Sequence, residues 1–245
     1  MSAEIVKSAT GNLNVVIRES EGALGTLLCL HGGPQGDLRG NENIFDEISK
    51  YAVQDGFWVC QFDFFGSGSS DGSQRDFDLE TMRQDYSAML DFVRQRCPNP
   101  LIVVGESMGA TVAALDWSQQ AERHVFLWPA FDLTDTDLKP FLSGEHYDIA
   151  QKNGYVDVDG MEMGGAFLRQ INECDFSTFF SLPAHDCLLI HGKADSAVPF
   201  QQSVRGAIEA RGPVELHLHP DGDHGLQSSS ERQYTHQIVR RWLSS

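Results

Sequence analysis

Apolar runs alternate along this chain with stretches of helical periodicity, and this alternation restricts the possible folds most strongly. Six segments are predicted as strands: TLLCLH (26–31), FWVCQFD (57–63), LIVVGES (101–107), HVFLWPA (124–130), CLLIHG (187–192) and VELHLHP (214–220). Helices are predicted over roughly 42–55, 78–96, 200–210 and 230–243, and from Thr111 to Trp117. Apolar strands joined by helices indicate a parallel sheet that is covered on both faces.

The two ends of this pattern complete the predicted domain. Around Gly11-Asn12, the stretches EIVKSA and NLNVVIRE alternate apolar and polar residues, which predicts an antiparallel hairpin and raises the strands to eight. From about 131 to 183 the alternation stops, and we interpret this segment as an inserted cap. A chain of 245 residues that is 41% hydrophobic suits one large core. The prediction is a single α/β domain over 1–245, with a mostly parallel eight-stranded sheet, helices on both faces and a small cap at about 131–183.

Charge and composition exclude several classes of partner. The net charge of −17, from 35 acidic and 18 basic residues, repels nucleic acid and anionic membrane surfaces. No apolar run approaches the ~20 residues of a membrane span, and the N-terminus lacks the pattern of a signal peptide. We therefore expect a soluble, cytoplasmic protein. The five cysteines show no C-x-x-C spacing and are expected to be small buried hydrophobic residues: Cys29, Cys60, Cys97, Cys174 and Cys187.

A single serine lies between two glycines where the strand LIVVGES meets the following helix. The stretch Gly105-Glu106-Ser107-Met108-Gly109 has the form G-x-S-x-G, in which a strained turn exposes the serine hydroxyl. A serine is nearly unreactive until a neighbouring base takes its proton. The turn also directs the N–H of Met108, at a helix N-terminus, towards the reacting centre, where it favours an oxyanion. This pattern predicts Ser107 as a nucleophile.

The two partners of such a serine follow in the required chain order. Asp195 comes just after the strand CLLIHG, at the carboxyl edge of the sheet, where catalytic groups gather. His224 lies in the loop that follows the last strand. Ser107, Asp195 and His224 are thus predicted to act as nucleophile, orienting carboxylate and general base. Asp221 and Asp223 are alternative carboxylates, whereas His31 and His191 are expected to have structural roles.

Over nearly its whole length the chain resembles the α/β-hydrolase superfamily, and within it the branch of serine-aminopeptidase-like and cinnamoyl-esterase-like proteins. The motifs that carry the resemblance are LHGG (30–33), DFFGSGSSDG (63–72), GESMG (105–109), HGKADSAVP (191–199) and GDHG (222–225). The resemblance implies that the backbone N–H of Gly33 is the second donor of the oxyanion hole, beside Met108. Pro34 has no N–H and cannot take this role.

The resemblance favours a carboxylesterase that cleaves small aromatic or short acyl esters. A thioesterase is the second choice and an amidase or aminopeptidase the third, because one triad serves all of them. Aromatic residues of the cap region are expected either to contact the substrate or to pack the cap onto the sheet: Trp128, Phe131, Phe141, Tyr147 and Phe167. The expected partner is a small acyl ester or thioester, with a homodimer retained as an alternative to a monomer, and no cofactor is implied.

A metal-dependent hydrolase is the more distant alternative. The stretch HLHPDGDH holds five residues that could ligate a metal: His217, His219, Asp221, Asp223 and His224. However, Gly222 stands where metallo-β-lactamase-like proteins need a histidine, and His217 and His219 alternate with apolar residues as the solvent face of a strand does. Zinc requires three or four ligands with supporting partners. No metal site is therefore predicted, and Glu106 is expected to line the pocket or to bind nearby backbone.

Overall fold

The computed structural model describes residues 1–115 and 121–245. Ten strands lie in these ranges: β1 (Ser2–Lys7), β2 (Asn12–Arg18), β3 (Gly25–Leu30), β4 (Phe57–Phe62), β5 (Leu101–Glu106), β6 (Arg123–Leu127), β7 (Tyr155–Val158), β8 (Met161–Gly164), β9 (Cys187–Gly192) and β10 (Val214–His219). Eight of them form one sheet in the order β1-β2-β4-β3-β5-β6-β9-β10. Strand β2 runs antiparallel to both neighbours, and the pairs from β4 to β10 are parallel.

Seven α-helices are described in the same ranges. They are α1 (Ile44–Gln54), α2 (Leu79–Arg96), α3 (Met108–Leu115), α4 (Gly144–Asn153), α5 (Gly165–Glu173), α6 (Gln201–Glu209) and α7 (Ser229–Leu243). The five helices predicted from periodicity correspond to α1, α2, α3, α6 and α7. Trp117, the predicted end of the third of these, lies outside the described residues. None of the described helices is long and apolar enough to cross a membrane.

The sheet is buried on both faces, which explains why its central strands are apolar throughout. Along β3, Leu28 and Leu30 face the core beneath α2 and α3, whereas Leu27 and Cys29 face the core beneath α1 and α7. All six residues of β3 are buried, as are all six of β5 and of β9. The predicted fold class, a mostly parallel eight-stranded sheet with helices on both faces, is confirmed.

The segment between β6 and β9 contains more regular structure than its weak periodicity indicated. It holds α4, α5 and the antiparallel hairpin of β7 and β8. Phe167 of α5 packs edge-to-face against Phe77, which precedes α2, with ring centroids 6.0 Å apart. The Gln170 amide oxygen accepts from the Leu79 N–H at 2.8 Å. These contacts hold the segment against the first turn of α2. The limits of about 131 and 183 for a separate cap remain a prediction.

The cysteines match their expected character in part. Cys29, Cys60 and Cys187 are buried free thiols on strands, and Cys97 and Cys174 are half-buried and free. Burial raises the pKa of the Cys187 thiol to about 12 and that of Cys97 to about 11. A thiolate is therefore strongly disfavoured at these two positions near neutral pH.

Candidate active site

Ser107 lies on a strained corner between β5 and α3. Its φ of +50° is left-handed, a conformation that non-glycine residues rarely adopt outside functional sites. The Ser107 N–H donates to the Leu127 carbonyl at 3.0 Å, and the Ala130 N–H donates to the Ser107 carbonyl at 3.0 Å. Gly109 permits the tight turn, since a Cβ there would overlap the Leu30 carbonyl of β3. The neighbouring strands thus hold the serine in its strained conformation.

The structure brings Ser107, His224 and Asp195 into one chain of hydrogen bonds. The Ser107 Oγ lies 3.2 Å from the His224 Nε2, and the His224 Nδ1 lies 2.8 Å from the Asp195 Oδ2. This arrangement requires the tautomer in which Nδ1 carries the proton, so that Nε2 can accept the proton of the hydroxyl. Asp195 and His224 lie 88 and 117 positions after Ser107 in the sequence, yet all three residues meet at one edge of the sheet.

Asp195 is held in place from several directions. Its side chain is inaccessible to solvent, and its Oδ1 accepts from the N–H groups of Ala197 and Val198 at 2.9 and 2.8 Å. The His191 Nε2 approaches its Oδ2 at 3.0 Å, while the His191 Nδ1 lies 2.8 Å from the Ser203 Oγ. His191 therefore supports the carboxylate rather than Ser107, as expected of a structural histidine.

These contacts shift the two titrating groups in opposite directions. Burial acts to raise the pKa of Asp195, but hydrogen bonds from His191 and His224 outweigh it and hold the pKa well below the usual range. Burial acts to lower the pKa of His224, but the hydrogen bond and charge of Asp195 outweigh it and raise the pKa above the ordinary histidine value. The pair is thus poised as an anionic carboxylate that stabilises a protonated imidazole.

The loop after β3 lies directly against Ser107. A Cβ at Gly32 would lie 2.8 Å from the Ser107 Cβ and 3.4 Å from the Met108 nitrogen, so this position needs a glycine. The next residue, Gly33, lines the cavity above the serine. His31 anchors the loop from below, because its fully buried ring accepts from the Phe64 N–H at 3.2 Å. The predicted oxyanion donors, Gly33 and Met108, thus belong to the two segments that flank Ser107.

A cavity of about 500 Å³ opens over the serine and its histidine. Its lining consists of glycines and polar or charged residues: Gly32, Gly33, Gln35, Gly36, Asp37, Arg39, Gly40, Asn41, Glu42, Asn43, Glu106, Ser107 and His224. Arg39 is paired with Asp37 at 2.6 Å. Three carboxylates and one guanidinium line this space, which gives it an acidic character. Ligand pockets are usually lined mainly by apolar side chains, so this lining is unusually hydrophilic.

The five cap-region aromatics do not line this cavity. Trp128, Phe131 and Phe167 are fully buried in the core. Phe141 and Tyr147 are half-buried and pack against the core from outside. Phe131, Phe141, Tyr147 and Phe167 pack in or against the core on the α2 side of the sheet, and Trp128 lies in the core on the α1 and α7 side. These positions correspond to the packing alternative rather than to substrate contact.

The residues of HLHPDGDH point to separate partners. His217 approaches Glu215 at 2.5 Å, His219 packs on Tyr234 of α7 with centroids 5.2 Å apart, and His224 faces Ser107. His217 and His219 are half-buried beneath α7, so the expectation that they form a solvent face was wrong: this edge strand has a helix over it. Within the described ranges, no group of three or more histidine, cysteine, aspartate or glutamate side chains is arranged to hold a metal ion.

Sequence reasoning missed the loop over 35–43, which supplies much of the cavity lining. It also left open the role of Glu106, which the structure assigns to both alternatives, since this residue lines the cavity and binds backbone. One signal could have located the loop. It follows the carboxyl end of β3, next to β5, and loops at that edge of a parallel sheet usually form the binding site.

Comparison with known proteins agrees with this fold. The sequence model of the serine aminopeptidase (S33) family matches residues 25–146. The uncharacterized protein YfhR of Escherichia coli O157:H7 is 26% identical over 235 residues, covering 92% of this chain and 72% of YfhR. The esterase Est1E of Butyrivibrio proteoclasticus, solved with bound ferulic acid, superposes with a TM-score of 0.82 at 18% identity over 98% of both chains. Mouse α/β-hydrolase domain-containing protein 10 superposes with a TM-score of 0.77 at 19% identity, over 100% of this chain and 99% of that one.

A mostly parallel sheet with a serine on the corner after its fifth strand is the α/β-hydrolase fold. Residues 25–146 of this chain match the serine aminopeptidase (S33) family within that fold, and the proteins of similar structure include the esterase Est1E.

Proposed function

We propose that the protein is a serine hydrolase that cleaves a small-molecule carboxylic ester through an acyl-enzyme intermediate. The observation that carries this proposal is the hydrogen-bond chain from the Ser107 Oγ through His224 to the buried Asp195 carboxylate. The base lies within hydrogen-bond reach of both the nucleophile and the orienting carboxylate, as a nucleophilic serine requires. The Ser107 end of this series of hydrogen bonds faces an open cavity, so a substrate carbonyl can reach the hydroxyl.

The reaction proceeds in two steps, acylation of Ser107 and hydrolysis of the acyl-enzyme. As the Ser107 Oγ bonds to the ester carbonyl carbon, its proton passes to the His224 Nε2, and that proton then goes to the alcohol as the C–O bond breaks. Water attacks the acyl-enzyme in the same way, giving its proton to His224, and the carboxylic acid leaves as the proton returns to Ser107. The N–H groups of Gly33 and Met108 stabilise the oxyanion of both tetrahedral intermediates.

The cavity lining supports a small hydrophilic substrate. Long acyl chains need apolar surface to bury, and the residues that line the cavity include no aliphatic or aromatic hydrocarbon side chain. An acyl-CoA brings several negative charges towards three carboxylates on a molecule of net charge −17. We therefore place an ester with a short acyl group before a thioester. The thioesterase alternative has support from mouse mitochondrial palmitoyl-protein thioesterase ABHD10, 24% identical over 200 residues that cover 75% of this chain and 64% of that protein.

The test is a hydrolysis panel of p-nitrophenyl acetate, butyrate and octanoate together with acetyl-, butyryl- and palmitoyl-CoA. The panel is run with the wild type, with Ser107→Ala and with a chelator. We expect turnover that is fastest on acetate or butyrate, is unaffected by the chelator and falls at least about a thousandfold in Ser107→Ala. Preference for palmitoyl-CoA would favour the thioesterase. Full activity in Ser107→Ala would refute the serine mechanism, and loss of activity with the chelator would favour a metallohydrolase.

A further inference from the structure

Glu106 is a buried carboxylate directly before the nucleophile. Only 2% of the residue is exposed, although it carries a charge at the end of β5. Burying a carboxylate is costly unless hydrogen bonds compensate for the lost water. Buried polar side chains are normally hydrogen-bonded. The hydrolytic steps proposed above do not use the Glu106 carboxylate. Its contacts indicate what it does.

Three N–H donors converge on this carboxylate, two from the connection between β3 and α1 and one from the residue that follows β6. Its Oε1 accepts from the backbone N–H of Gly32 at 3.0 Å and from that of Asn41 at 3.1 Å. Its Oε2 accepts from the indole Nε1 of Trp128 at 2.9 Å. Charge-assisted hydrogen bonds of this kind are roughly twice as strong as neutral ones. Glu106 therefore ties Gly32, the cavity loop (residues 35–43) and Trp128 to the corner that holds Ser107.

The tethered backbone adjoins the proposed oxyanion donor. Gly32 immediately precedes Gly33, and a rotation of the Gly32–Gly33 peptide would move the Gly33 N–H away from the substrate carbonyl oxygen. The cavity loop near Asn41 is strained, since Glu42 and Asn43 have φ values of +49° and +62°. Such conformations persist only where surrounding contacts enforce them. A hydrogen bond to the Asn41 N–H is one contact of this kind.

We propose that Glu106 is a positioning residue that fixes the loop after β3, which contains the proposed oxyanion donor Gly33, against Ser107. This inference rests on the proposed function. Trp128 extends the same arrangement, because its indole is held by Glu106 while its ring lies edge-on to the His224 imidazole, with centroids 6.4 Å apart.

The charges that face His224 come from three elements. Asp195 follows β9, Glu106 ends β5, and Asp137 lies in the inserted segment. Asp195 makes the largest contribution to raising the histidine's pKa, and Glu106 and Asp137 add to it through their charge. Removal of the Glu106 charge should therefore lower the pKa of His224 while Asp195 keeps it in place.

The test compares Glu106→Gln with the wild type on p-nitrophenyl butyrate. Glutamine keeps the shape and one acceptor oxygen, but it loses the charge and presents an NH₂ group to one of the three donors. We expect kcat to fall about 10-fold to 100-fold, less than or similar to the loss of a whole oxyanion donor, with KM changed by no more than about twofold. The acid limb of the pH profile should move to lower pH.

Glu231→Gln is the matched control, because Glu231 is also a buried carboxylate, 8% exposed, and caps α7 through the Ser228 N–H at 2.9 Å. It should lower the unfolding temperature without moving the pH profile. If Glu106→Gln does not fold, Trp128→Phe is the second test variant, because it removes the indole N–H that Glu106 binds. It should lower kcat, with a smaller change in the pH profile than is expected for Glu106→Gln. Serine-dependent turnover with unchanged kcat and pH limb in Glu106→Gln would overturn this inference alone. Absence of any Ser107-dependent turnover would overturn the proposed function with it.

Discussion

At the scale of single residues, the site depends on two shifted protonation equilibria. Asp195 stays ionised because its partners donate to it, and His224 is easier to protonate because Asp195 faces it. The same contact that orients the imidazole therefore also makes it a stronger base. The two effects cannot be separated by geometry, but they can be separated by pH.

The wild-type enzyme should lose activity as pH falls through the pKa of His224. Only the neutral imidazole accepts the serine proton, so kcat/KM is high above this pKa and declines below it. Because the pKa is raised, the midpoint of the acid limb should lie above the ordinary histidine value of about 6.5. A pH profile on a short-chain ester measures it. A midpoint below the ordinary histidine value of about 6.5 would contradict this account.

Asp195→Asn should lower kcat by about ten-thousandfold and move the acid limb to lower pH. The amide no longer selects the productive tautomer or stabilises the imidazolium. Asp223→Asn is the control, since Asp223 is an exposed carboxylate next to His224 and was an alternative to Asp195. It should retain nearly full activity. A greater loss of kcat in Asp223→Asn than in Asp195→Asn would show that Asp223, not Asp195, orients His224.

At the scale of elements, the corner between β5 and α3 depends on close contact with β3. The Gly109 backbone approaches the Leu30 carbonyl so closely that no side chain fits. Gly109→Ala should therefore lower the free energy of unfolding by about 2 kcal/mol or more, as overpacking of a buried site does. At Gly144 an added methyl group meets nothing within 4 Å, but φ is +74°, which disfavours alanine. Gly144→Ala should therefore lower the free energy of unfolding by about 1 kcal/mol. Urea unfolding measures both, and equal losses would refute the role of close packing.

The elements of the sheet could be predicted because their signal is local. Central strands such as β3 and β5 are apolar at every position, and the corner motif has a fixed spacing, so the fold class and the three residues Ser107, Asp195 and His224 follow from order along the chain. The hairpin of β7 and β8 was missed although Asp159-Gly160 marked it. Both residues have positive φ, the conformation that a two-residue hairpin turn requires.

Other features depend on tertiary packing and leave no local signal. Aromatic residues such as Phe131 and Phe167 satisfy the composition of a binding pocket and of a core equally well, and only the fold shows that the core takes them. Half-burial of His217 and His219 depends on α7 lying over an edge strand. The convergence of Gly32, Asn41 and Trp128 on Glu106 joins segments that are up to 96 positions apart and could not be read from spacing.

At the scale of the whole molecule, the excess of negative charge acts on any charged substrate. With a net charge of −17 and an acidic cavity, repulsion should slow association with acyl-CoA more than with a neutral ester. Raising the ionic strength from about 0.01 M to about 0.15 M shortens the screening length from about 30 Å to about 8 Å. We expect kcat/KM for acetyl-CoA to rise several-fold over this range, with that for p-nitrophenyl acetate nearly constant. An equal response of both substrates would contradict the electrostatic argument.

The central claim is that Ser107 is the one activated nucleophile, and covalent labelling tests it most directly. An alkyl fluorophosphonate reacts with a serine whose proton a histidine removes, so intact-mass and peptide analysis should find a single adduct on Ser107 in the wild type. Ser107→Ala should remain unlabelled, and His224→Ala should react far more slowly. Rapid labelling of Ser107→Ala, or an adduct at another residue, would contradict the account.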